Sequence, residues 1–398
     1  MNMRASTGRM KCTISGVIFG FVVMMASAAS LRAATWEVQT VDQSGTGRYS
    51  SLKIDKDGNA HLAYIVEEGR LKYAFWDHAT KKWFTMVVAE GASFSDLALD
   101  SKQHPHISFA DLGTVGGTKL RHAYWDGAKW HTEAIPLNSD VIAYFTSIVV
   151  DHDDHPWISF YEYRGPRGSE IVDRMRVVSW NGKYWEVRTV DGENQSGKFN
   201  ALAVDPEGQI RLVYANVNAM TASVRYAFWD GRDWQLEMVD DRAHNSSELV
   251  GFSTCIAIDE QGNPHLAYMN YSRPALKYAV RKDGKWSVQE IQALKGVGYP
   301  DRNSIALDSA GNPYIGYYDS GLGALRLAHY DQEKWTVETI DSNFAGFTSS
   351  IQIVGEVLWI SYADDAGGIK VAKRELAAAV GPTAKAKQIP AEAHALGR

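Results

Sequence analysis

A tryptophan recurs at a nearly constant interval along most of the chain, and this spacing constrains the fold more than any other feature of the sequence. Consecutive members of the series lie 47 to 55 residues apart. The positions are Trp36, Trp83, Trp130, Trp185, Trp234, Trp286 and Trp335. A regular interval of this length indicates a chain built from copies of one structural unit.

Each unit carries the same three phrases in the same order. The tryptophan opens W-x-V-x-x-(V/I)-D, a second phrase reads (L/I)-A-(L/I)-D-x-x-G-N-P-H-(I/L)-A-Y, and a third reads L-K-Y-A-(F/Y)-W-D-G. The phrases contain four short alternating segments separated by turn residues, which are typical of strands. A period of about 50 residues with four strands predicts an all-β fold, a seven-bladed β-propeller of four-stranded antiparallel blades.

The two ends of the series are incomplete in a complementary way. Residues 36–41 form a lone fourth strand, whereas the last unit supplies three strands at 350–353, 358–362 and 369–373. Because closure pairs an edge that would otherwise stay open, we expect the N-terminal strand to complete the last blade. The propeller should then occupy residues 36–376.

The segments outside the repeat predict an exported protein. Basic residues precede an apolar run at about 14–25, which ends in the small-x-small pattern Ala26-Ser27-Ala28. Residues 1–28 are therefore expected to be a signal peptide, and the run is too short to span a bilayer. Residues 377–398 lack the repeat and are rich in Ala, Lys and Pro, which predicts a flexible tail. The expected location is periplasmic or secreted.

Charge and composition narrow the classes of partner. The formal net charge is −6 and the chain has no basic run, which is unlike proteins that bind nucleic acids or anionic membranes. All 13 tryptophans fall at repeat positions, which indicates packing between blades rather than a dedicated sugar platform. We expect a monomer without a cofactor, whose partner is a glycan or an extracytoplasmic protein.

An aspartate stands at the same turn in six units. A carboxylate just before Gly-Asn is suited to capping the backbone of a tight turn, whereas a calcium loop needs several oxygens that converge on one point. The sequence therefore predicts turn caps and no metal site. The aspartates are Asp55, Asp100, Asp151, Asp205, Asp259 and Asp308.

The connections between strands four and one and between strands two and three lie on the same side of such a ring. They are longer and more variable than the hairpins of the opposite side, and binding residues usually lie on such loops. We call this side the variable face.

Two rings of side chains are expected to line the variable face. The first precedes the first strand of each unit: Tyr49, Phe94, Phe145, Phe199, Phe252 and Phe347, with Arg302 in the sixth unit. The second follows the second strand: Asp111, Glu162, Asn216, Asn270, Asp319 and Asp364, with Val66 in the first unit. Aromatic faces beside carboxylates and amides suit a sugar ring. The same rings would equally serve to plug the channel and cap loops, and both interpretations stay open.

The third unit departs most from the repeat. Its second-to-third connection, residues 161–173, is the longest and is rich in charge. It places Glu162, Tyr163 and Arg164 on the same face as Arg302, so all four are candidate ligand contacts. If the protein is an enzyme, Glu162, Tyr163 and Arg302 are the candidates for proton transfer. A solvated surface loop is the alternative interpretation.

The repeated I-A-(L/I)-D-x-x-G-N-P-H-(I/L)-A-Y and L-K-Y-A-(F/Y)-W-D-G-x-x-W phrases, over residues 36–376, resemble those of exported bacterial propeller repeat proteins. In appearance they are also similar to sialidase-like propellers and to tectonin or fucose-lectin propellers. The turns do not read as the sialidase S-x-D-x-G-x-x-W box, and most units lack the arginine of the fucose lectins. The resemblance therefore implies the fold rather than an activity.

Three functions follow as hypotheses. The first is a non-catalytic exported propeller that binds a carbohydrate or a protein. The second is a polysaccharide lyase or glycosidase that acts from the variable face, and the third is a structural partner module of an envelope complex. Catalytic residues confined to one unit would favour the enzyme, whereas equivalent sites in several units would favour a lectin.

Overall fold

The computed structural model describes residues 35–376, apart from 46, 113–118, 139–140, 165–171, 194, 218–221, 242–248, 297–301, 332 and 344. The predicted signal peptide, 1–28, and the predicted tail, 377–398, lie outside the described residues. Within the described part, 28 strands form seven four-stranded antiparallel sheets, and a short 3-10 helix at Glu67–Gly69 lies between two of the strands. The predicted all-β, seven-bladed propeller is confirmed.

Six blades each use four strands that are consecutive in the chain and paired in chain order. Blade 1 consists of β2 (Arg48–Ile54), β3 (Ala60–Val66), β4 (Arg70–Asp77) and β5 (Lys82–Ala89); blade 2 of β6 (Ala92–Leu99), β7 (Pro105–Asp111), β8 (Lys119–Trp125) and β9 (Trp130–Ala134); blade 3 of β10 (Ile142–Val150), β11 (Pro156–Arg164), β12 (Val172–Trp180) and β13 (Trp185–Asp191). Blade 4 consists of β14 (Ser196–Val204), β15 (Ile210–Val217), β16 (Ala222–Trp229) and β17 (Trp234–Asp240); blade 5 of β18 (Val250–Ile258), β19 (Pro264–Asn270), β20 (Ala275–Lys282) and β21 (Lys285–Ala293); blade 6 of β22 (Ser304–Leu307), β23 (Pro313–Asp319), β24 (Ala324–Tyr330) and β25 (Trp335–Asp341).

The seventh blade joins the two ends of the chain. Strands β26 (Ser349–Val354), β27 (Val357–Ala363) and β28 (Ile369–Glu375) are completed by β1 (Glu37–Asp42), which pairs antiparallel with β28. Trp36, the residue before β1, also contacts β28, because the Arg374 guanidinium lies 4.3 Å from the centre of its ring. The predicted closure by the N-terminal strand is confirmed.

The core lies mainly between neighbouring blades, because each sheet packs its apolar side chains on the sheet before or after it. In blade 3, Ile158 and Phe160 are fully buried and belong to one cluster with Ala98 and Leu120 of blade 2. Tryptophans add to this packing at the hairpin between strands three and four, where Trp76 and Trp83 have ring centres 5.5 Å apart. Equivalent pairs recur in blades 2, 3 and 4. The repeated tryptophan is a packing residue in these blades.

The six turn aspartates cap the hairpin between strands one and two. In blade 1 the Asp55 Oδ1 accepts hydrogen bonds from the backbone N–H groups of Asp57 at 2.9 Å and Asn59 at 2.8 Å. The corresponding pairs of bonds are present at the other five turns. The capping prediction is confirmed. Capping of the turn explains why an aspartate stands at this position in six units.

The described residues contain neither a cluster of metal ligands nor a membrane-spanning helix. No group of three or more His, Cys, Asp or Glu side chains is placed to hold a metal ion within residues 35–376 as described. In the same part of the chain, no helix has the length and apolar character needed to cross a membrane.

Candidate functional site

The predicted aromatic ring forms a continuous arc over five blades. Ring centres are 4.7 Å apart for Tyr49 and Phe94, 4.9 Å for Phe94 and Phe145, 4.9 Å for Phe145 and Phe199, and 5.1 Å for Phe199 and Phe252. Neighbouring rings at these distances pack on each other. Much of the aromatic surface of the arc is therefore covered by the neighbouring rings.

The arc is irregular where the first strands begin. Tyr49, Phe94, Phe145 and Phe199 adopt positive φ angles of 50–53°, and in blade 5 it is Ser253, at 54°, that has this backbone conformation. Phe252 thus stands one residue earlier than the sequence alignment of the repeats assumed, yet its ring still continues the arc. Phe347 lies apart, 37% exposed, against Tyr318 with ring centres 4.5 Å apart.

The centre of the arc encloses little space. Its cavity measures about 40 Å³ and is lined by Tyr49, Phe94, Ser95, Phe145, Thr146, Phe199, Asn200, Ser253, Thr254 and Arg302. Such a volume accommodates a few water molecules, whereas small-molecule sites usually enclose about 300–1,000 Å³. The aromatics at the channel mouth therefore plug the ring and do not enclose a sugar-sized pocket.

Arg302 reaches across the channel instead of facing a ligand. Its Nη2 lies 2.9 Å from Oδ2 of Asp96, a buried carboxylate of blade 2. Asp96 also accepts hydrogen bonds from Ser51 Oγ of blade 1 and Ser147 Oγ of blade 3, each at 2.7 Å. One carboxylate thus connects blades 1, 2, 3 and 6. Burial alone would raise the pKa of Asp96, but the Arg302 guanidinium, helped by Lys53 and Ser51, lowers it to about 2.

A repeated three-residue contact joins neighbouring blades close to the variable face. Asp42 ends the fourth strand of blade 7 and accepts hydrogen bonds from two groups of blade 1, Tyr64 Oη at 2.6 Å and Lys72 Nζ at 2.5 Å. We call this contact the interblade clamp. It recurs as Asp191–Tyr214–Arg225, Asp240–Tyr268–Lys277 and Asp341–Tyr362–Lys370.

The sequence carries a signal for the clamp in the spacing of its charged residues. The aspartate stands six residues after the repeat tryptophan, and the third phrase has a basic residue at one position in every unit: Lys72, Arg121, Arg176, Arg225, Lys277, Arg326 and Lys370. A cation that recurs in all seven units needs a partner, and that requirement would have pointed to the aspartate.

Three interfaces have lost the aspartate of the clamp. Its position holds Ala89 between blades 1 and 2, Pro136 between blades 2 and 3, and Gln292 between blades 5 and 6. Gln292 still accepts a hydrogen bond from a tyrosine of blade 6, Tyr317. On both sides of blade 2, however, the tyrosine is also replaced, by Phe109 in blade 2 and Phe160 in blade 3, both fully buried.

At these two interfaces the repeated cation forms an ion pair with a carboxylate of its own blade. Arg121 Nε lies 2.5 Å from Asp111 Oδ2 in blade 2, and Arg176 Nη1 lies 2.7 Å from Glu162 Oε2 in blade 3. Asp111 and Glu162 belong to the second predicted ring. Their partners are therefore cations of the protein, at the edge of the variable face.

Glu162 is surrounded by three arginines, which we call the arginine cluster: Arg164, Arg174 and Arg176. The carboxylate is 1% exposed, contacts Arg164 and Arg176, and lies 3.7 Å from Arg174 Nε. Burial lowers the pKa of Arg176; Glu162 opposes this, but repulsion from Arg174 and Arg164 adds to it, and the net direction is downward. Within the cluster itself, three guanidinium groups face one carboxylate.

The candidate catalytic residues do not come together. Successive residues of a strand point to opposite faces of a sheet, so Tyr163 and Glu162 lie on opposite sides of β11. Tyr163 is paired with Asp173 in the register, whereas Glu162 is paired with Arg174. Arg302 is bound to Asp96 in the channel. No proton-transfer arrangement of these three side chains is present.

The other members of the second ring make local contacts near the loops. Asn216 Nδ2 donates to Ser196 Oγ at 3.0 Å, and Asn270 Oδ1 accepts from the Arg273 N–H at 3.1 Å. Asp319 accepts from the Gly321 N–H at 3.2 Å, and Asp364 pairs with Lys370 at 2.8 Å. These contacts support a loop-capping role, while ligand binding by the ring stays a prediction.

A groove opens between blades 1 and 2, where the clamp is missing. Its volume is about 360 Å³, and its lining is mixed in chemistry: Arg48, Tyr49, Ile65, Val66, Glu67, Glu68, Gly69, Ala92, Ser93 and Leu112. Val66 is the residue that breaks the second ring, and the 3-10 helix Glu67–Gly69 follows it directly. Leu112 is 53% exposed at the opposite wall. Of the candidate residues, Tyr49 alone lines this groove.

Comparison with known proteins supports the fold. No model of a known protein family matches the sequence, and no curated protein matches it either. Many solved structures match the coordinates. A polysaccharide lyase, an ulvan lyase bound to -[GlcA(1-4)Rha3S]-, shares 12% identity with a TM-score of 0.59, covering 83% of this chain and 94% of that one.

Two other solved structures show the range of proteins with this fold. A second polysaccharide lyase shares 10% identity with a TM-score of 0.56, covering 86% of this chain and 99% of that one. A six-bladed fungal lectin, Aleuria aurantia lectin, shares 15% identity with a TM-score of 0.50, covering 76% and 98%. At such identities the likeness establishes a propeller fold. The predicted bacterial origin, export and sialidase-like relationship stay predictions.

Proposed function

We propose that the protein is an exported, non-catalytic propeller that binds a carbohydrate on its variable face. The observation that carries this proposal is the groove between blades 1 and 2. Its volume of about 360 Å³ falls within the range of about 300–1,000 Å³ that is usual for small-molecule sites. The channel mouth, with about 40 Å³, falls outside it.

The lining of the groove suits a sugar in its chemistry. Tyr49 supplies an aromatic ring, while Arg48, Glu67 and Glu68 supply charged hydrogen-bonding groups. Apolar ring surfaces of a sugar pack on aromatic and aliphatic side chains, and its hydroxyls bond to carboxylates and guanidinium groups. The propellers with which the chain shares its fold include a lectin and polysaccharide lyases, which agrees with a carbohydrate ligand.

Binding rather than catalysis is favoured by the geometry of the candidate catalytic side chains. Glu162 is enclosed by arginines, Tyr163 lies on the opposite side of its sheet, and Arg302 is paired with Asp96. A lyase or glycosidase needs an acid and a base that reach the same glycosidic linkage. The groove, by contrast, needs no catalytic geometry to function.

The test is a glycan array followed by titration of the glycans that bind, with the variant Glu67→Ala. Glu67 lines the groove and is exposed, so its removal should leave folding intact. It should weaken binding about tenfold or more, the scale of a charge-assisted hydrogen bond. Glu260→Ala is the matched control, because Glu260 is an exposed glutamate at a hairpin of the opposite face.

Two results would overturn the proposal. If no glycan binds, or if Glu67→Ala and Glu260→Ala bind as the parent does, the groove is not a carbohydrate site and the partner-module hypothesis gains. If polysaccharide incubated with the protein yields new reducing ends or unsaturated products, the protein is an enzyme.

A further inference from the structure

Within the part of the chain that the structure describes, the arginine cluster gathers its guanidinium groups around one buried carboxylate, that of Glu162. Three guanidinium groups, which stay protonated in proteins, surround a single carboxylate. Among the described residues, the buried Arg174 Nε makes no hydrogen bond and lies 3.7 Å from Glu162 Oε2. The side chains of Arg174 and Arg176 are 28% and 15% exposed, so solvent reaches both at the variable face.

In blade 4 the repeated cation has more carboxylate neighbours than in blade 3. There Arg225 contacts two carboxylates, Asp191 and Glu193, each at 2.6 Å. Burial lowers the pKa of Arg225, but the two carboxylates outweigh it and the net direction is upward. In blade 3 the pKa of Arg176 moves in the opposite direction. The gathering of guanidinium groups around one carboxylate is therefore a property of blade 3 and not of the repeated cation.

The cluster is also held in place before any ligand binds. Glu162 lies on the sheet face that carries the buried residues Ile158 and Phe160, which pack on blade 2. Glu162 accepts a hydrogen bond from Arg176 Nη1 at 2.7 Å, and the Arg188 carbonyl oxygen accepts one from Arg176 Nε at 3.2 Å. These two bonds fix the Arg176 guanidinium and leave its Nη2 side for a second anion. A guanidinium fork matches the two oxygens of a carboxylate or a sulfate group. Preorganised donors of this kind lose little entropy on binding.

We propose that Arg174 and Arg176, positioned by Glu162, form a subsite for the carboxylate or sulfate group of an acidic carbohydrate. This subsite rests on the proposed carbohydrate-binding function and names the class of carbohydrate. The groove and the arginine cluster flank blade 2 on its two sides, at the same face of the ring. A glycan chain that crosses blade 2 contacts both, with a sugar in the groove and an acidic substituent at the cluster.

The experiment measures binding of three polymers at one fixed salt concentration: polygalacturonate, dextran sulfate and neutral dextran. The parent should bind at least one acidic polymer about tenfold more tightly than dextran. Arg174→Gln should remove most of that preference, and Arg174→Lys should restore part of it, because lysine keeps the charge but lacks the fork. Preference for polygalacturonate or for dextran sulfate identifies the acidic group.

Arg232→Gln is the matched control for charge. Arg232 is 91% exposed in a hairpin of blade 4, so the substitution removes the same charge without touching the cluster. If Arg232→Gln and Arg174→Gln weaken binding equally, attraction is diffuse and the subsite does not exist. The same conclusion follows if acidic and neutral polymers bind alike.

The outcome also separates the subsite from the proposed function. If Glu67→Ala weakens glycan binding while Arg174→Gln leaves acidic polymers bound as before, the groove stands and the subsite falls. If acidic polymers depend on Arg174 but Glu67→Ala has no effect, the subsite stands and the groove proposal falls. If none of the polymers and no glycan of the array binds, both are overturned.

Discussion

The repeated cation has different partners at two neighbouring interfaces. It joins two blades between blades 3 and 4, whereas between blades 2 and 3 it stays within one blade. Between blades 3 and 4, Arg225 binds Asp191, and Tyr214 donates to the same carboxylate at 2.8 Å. Between blades 2 and 3 the aspartate is absent, and Arg176 binds Glu162 of its own blade. A cation that no longer joins two blades is available at the surface for a ligand.

Blade 2 is the extreme case, because it lacks the interblade clamp on both sides. The channel supplies a substitute, since Asp96 of blade 2 bonds to Ser51 of blade 1, Ser147 of blade 3 and Arg302 of blade 6. The residues equivalent to Asp96 in the other blades are uncharged: Ser51, Ser147, Ala201, Cys255, Ser304 and Ser350. We infer that the channel carboxylate holds blade 2 in the ring, so that both of its outer edges are free to form binding surfaces.

The largest expected effect comes from breaking the interface between blades 7 and 1. Deleting residues 35–42 removes β1 and the Asp42 clamp and exposes the edge of β28. We expect the melting temperature to fall by on the order of 10 °C or more, since several kcal/mol are lost and each corresponds to roughly 2–4 °C for a domain of this size. Truncation after residue 376 is the control. Equal tolerance of both deletions would contradict ring closure as a stabilising device.

A smaller but still large effect is expected from a clamp alone. Asp240→Ala leaves the buried Lys277 ammonium without its carboxylate, which should cost about 3–5 kcal/mol in urea unfolding. Gln292→Ala changes the equivalent position of an interface without the aspartate and removes a neutral bond to Tyr317, worth about 1 kcal/mol. Equal costs for the two variants would show that the clamp adds nothing beyond packing.

The channel carboxylate should show itself in the acid range. Because the pKa of Asp96 is lowered from 3.8 to about 2 on folding, its contribution is complete above pH 3.8 and is lost as the pH falls through 2. The shift corresponds to roughly 2 kcal/mol. Urea unfolding of the parent and of Asp96→Asn, measured from pH 6 to pH 2, should therefore show a stability difference that shrinks by this amount. A difference independent of pH would contradict the ion pair with Arg302.

Much of this architecture follows from one-dimensional spacing. The tryptophan interval predicts seven blades, the incomplete end units predict closure, and Asp55 with its equivalents predicts the turn caps. These features succeed because each depends on residues close in the chain or on a strict period. Contacts between side chains of different blades cannot be predicted in this way, because periodicity tells which face a residue lies on and not which residue lies opposite.

Arg302 and Glu162 illustrate that limit. The sequence places both on the variable face, but Arg302 finds its partner in blade 2, far away in the chain, and Glu162 finds three arginines of its own blade. In blade 5 a shift of one residue puts Ser253 where Phe252 was expected, because the strand begins with an irregular register. The groove between blades 1 and 2 has one signal in the sequence, the departure from the second ring at Val66, and that departure alone does not predict a cavity.

The smallest expected effect comes from installing a clamp where blade 3 lacks one. In the double variant Pro136→Asp/Phe160→Tyr, the new carboxylate should accept from the new hydroxyl and from Arg176, as in blade 4. Phe160→Tyr alone buries a hydroxyl without its partner, since Phe160 is fully buried, and should cost about 1–3 kcal/mol. Adding Pro136→Asp should recover most of that loss and, by neutralising part of the arginine cluster, weaken binding of acidic polymers several-fold. Urea unfolding and polymer titration of the three variants measure both changes. If the double variant binds acidic polymers as tightly as the parent, the clamp and the ligand do not compete for the charge of Arg176. The two interfaces then differ in packing alone.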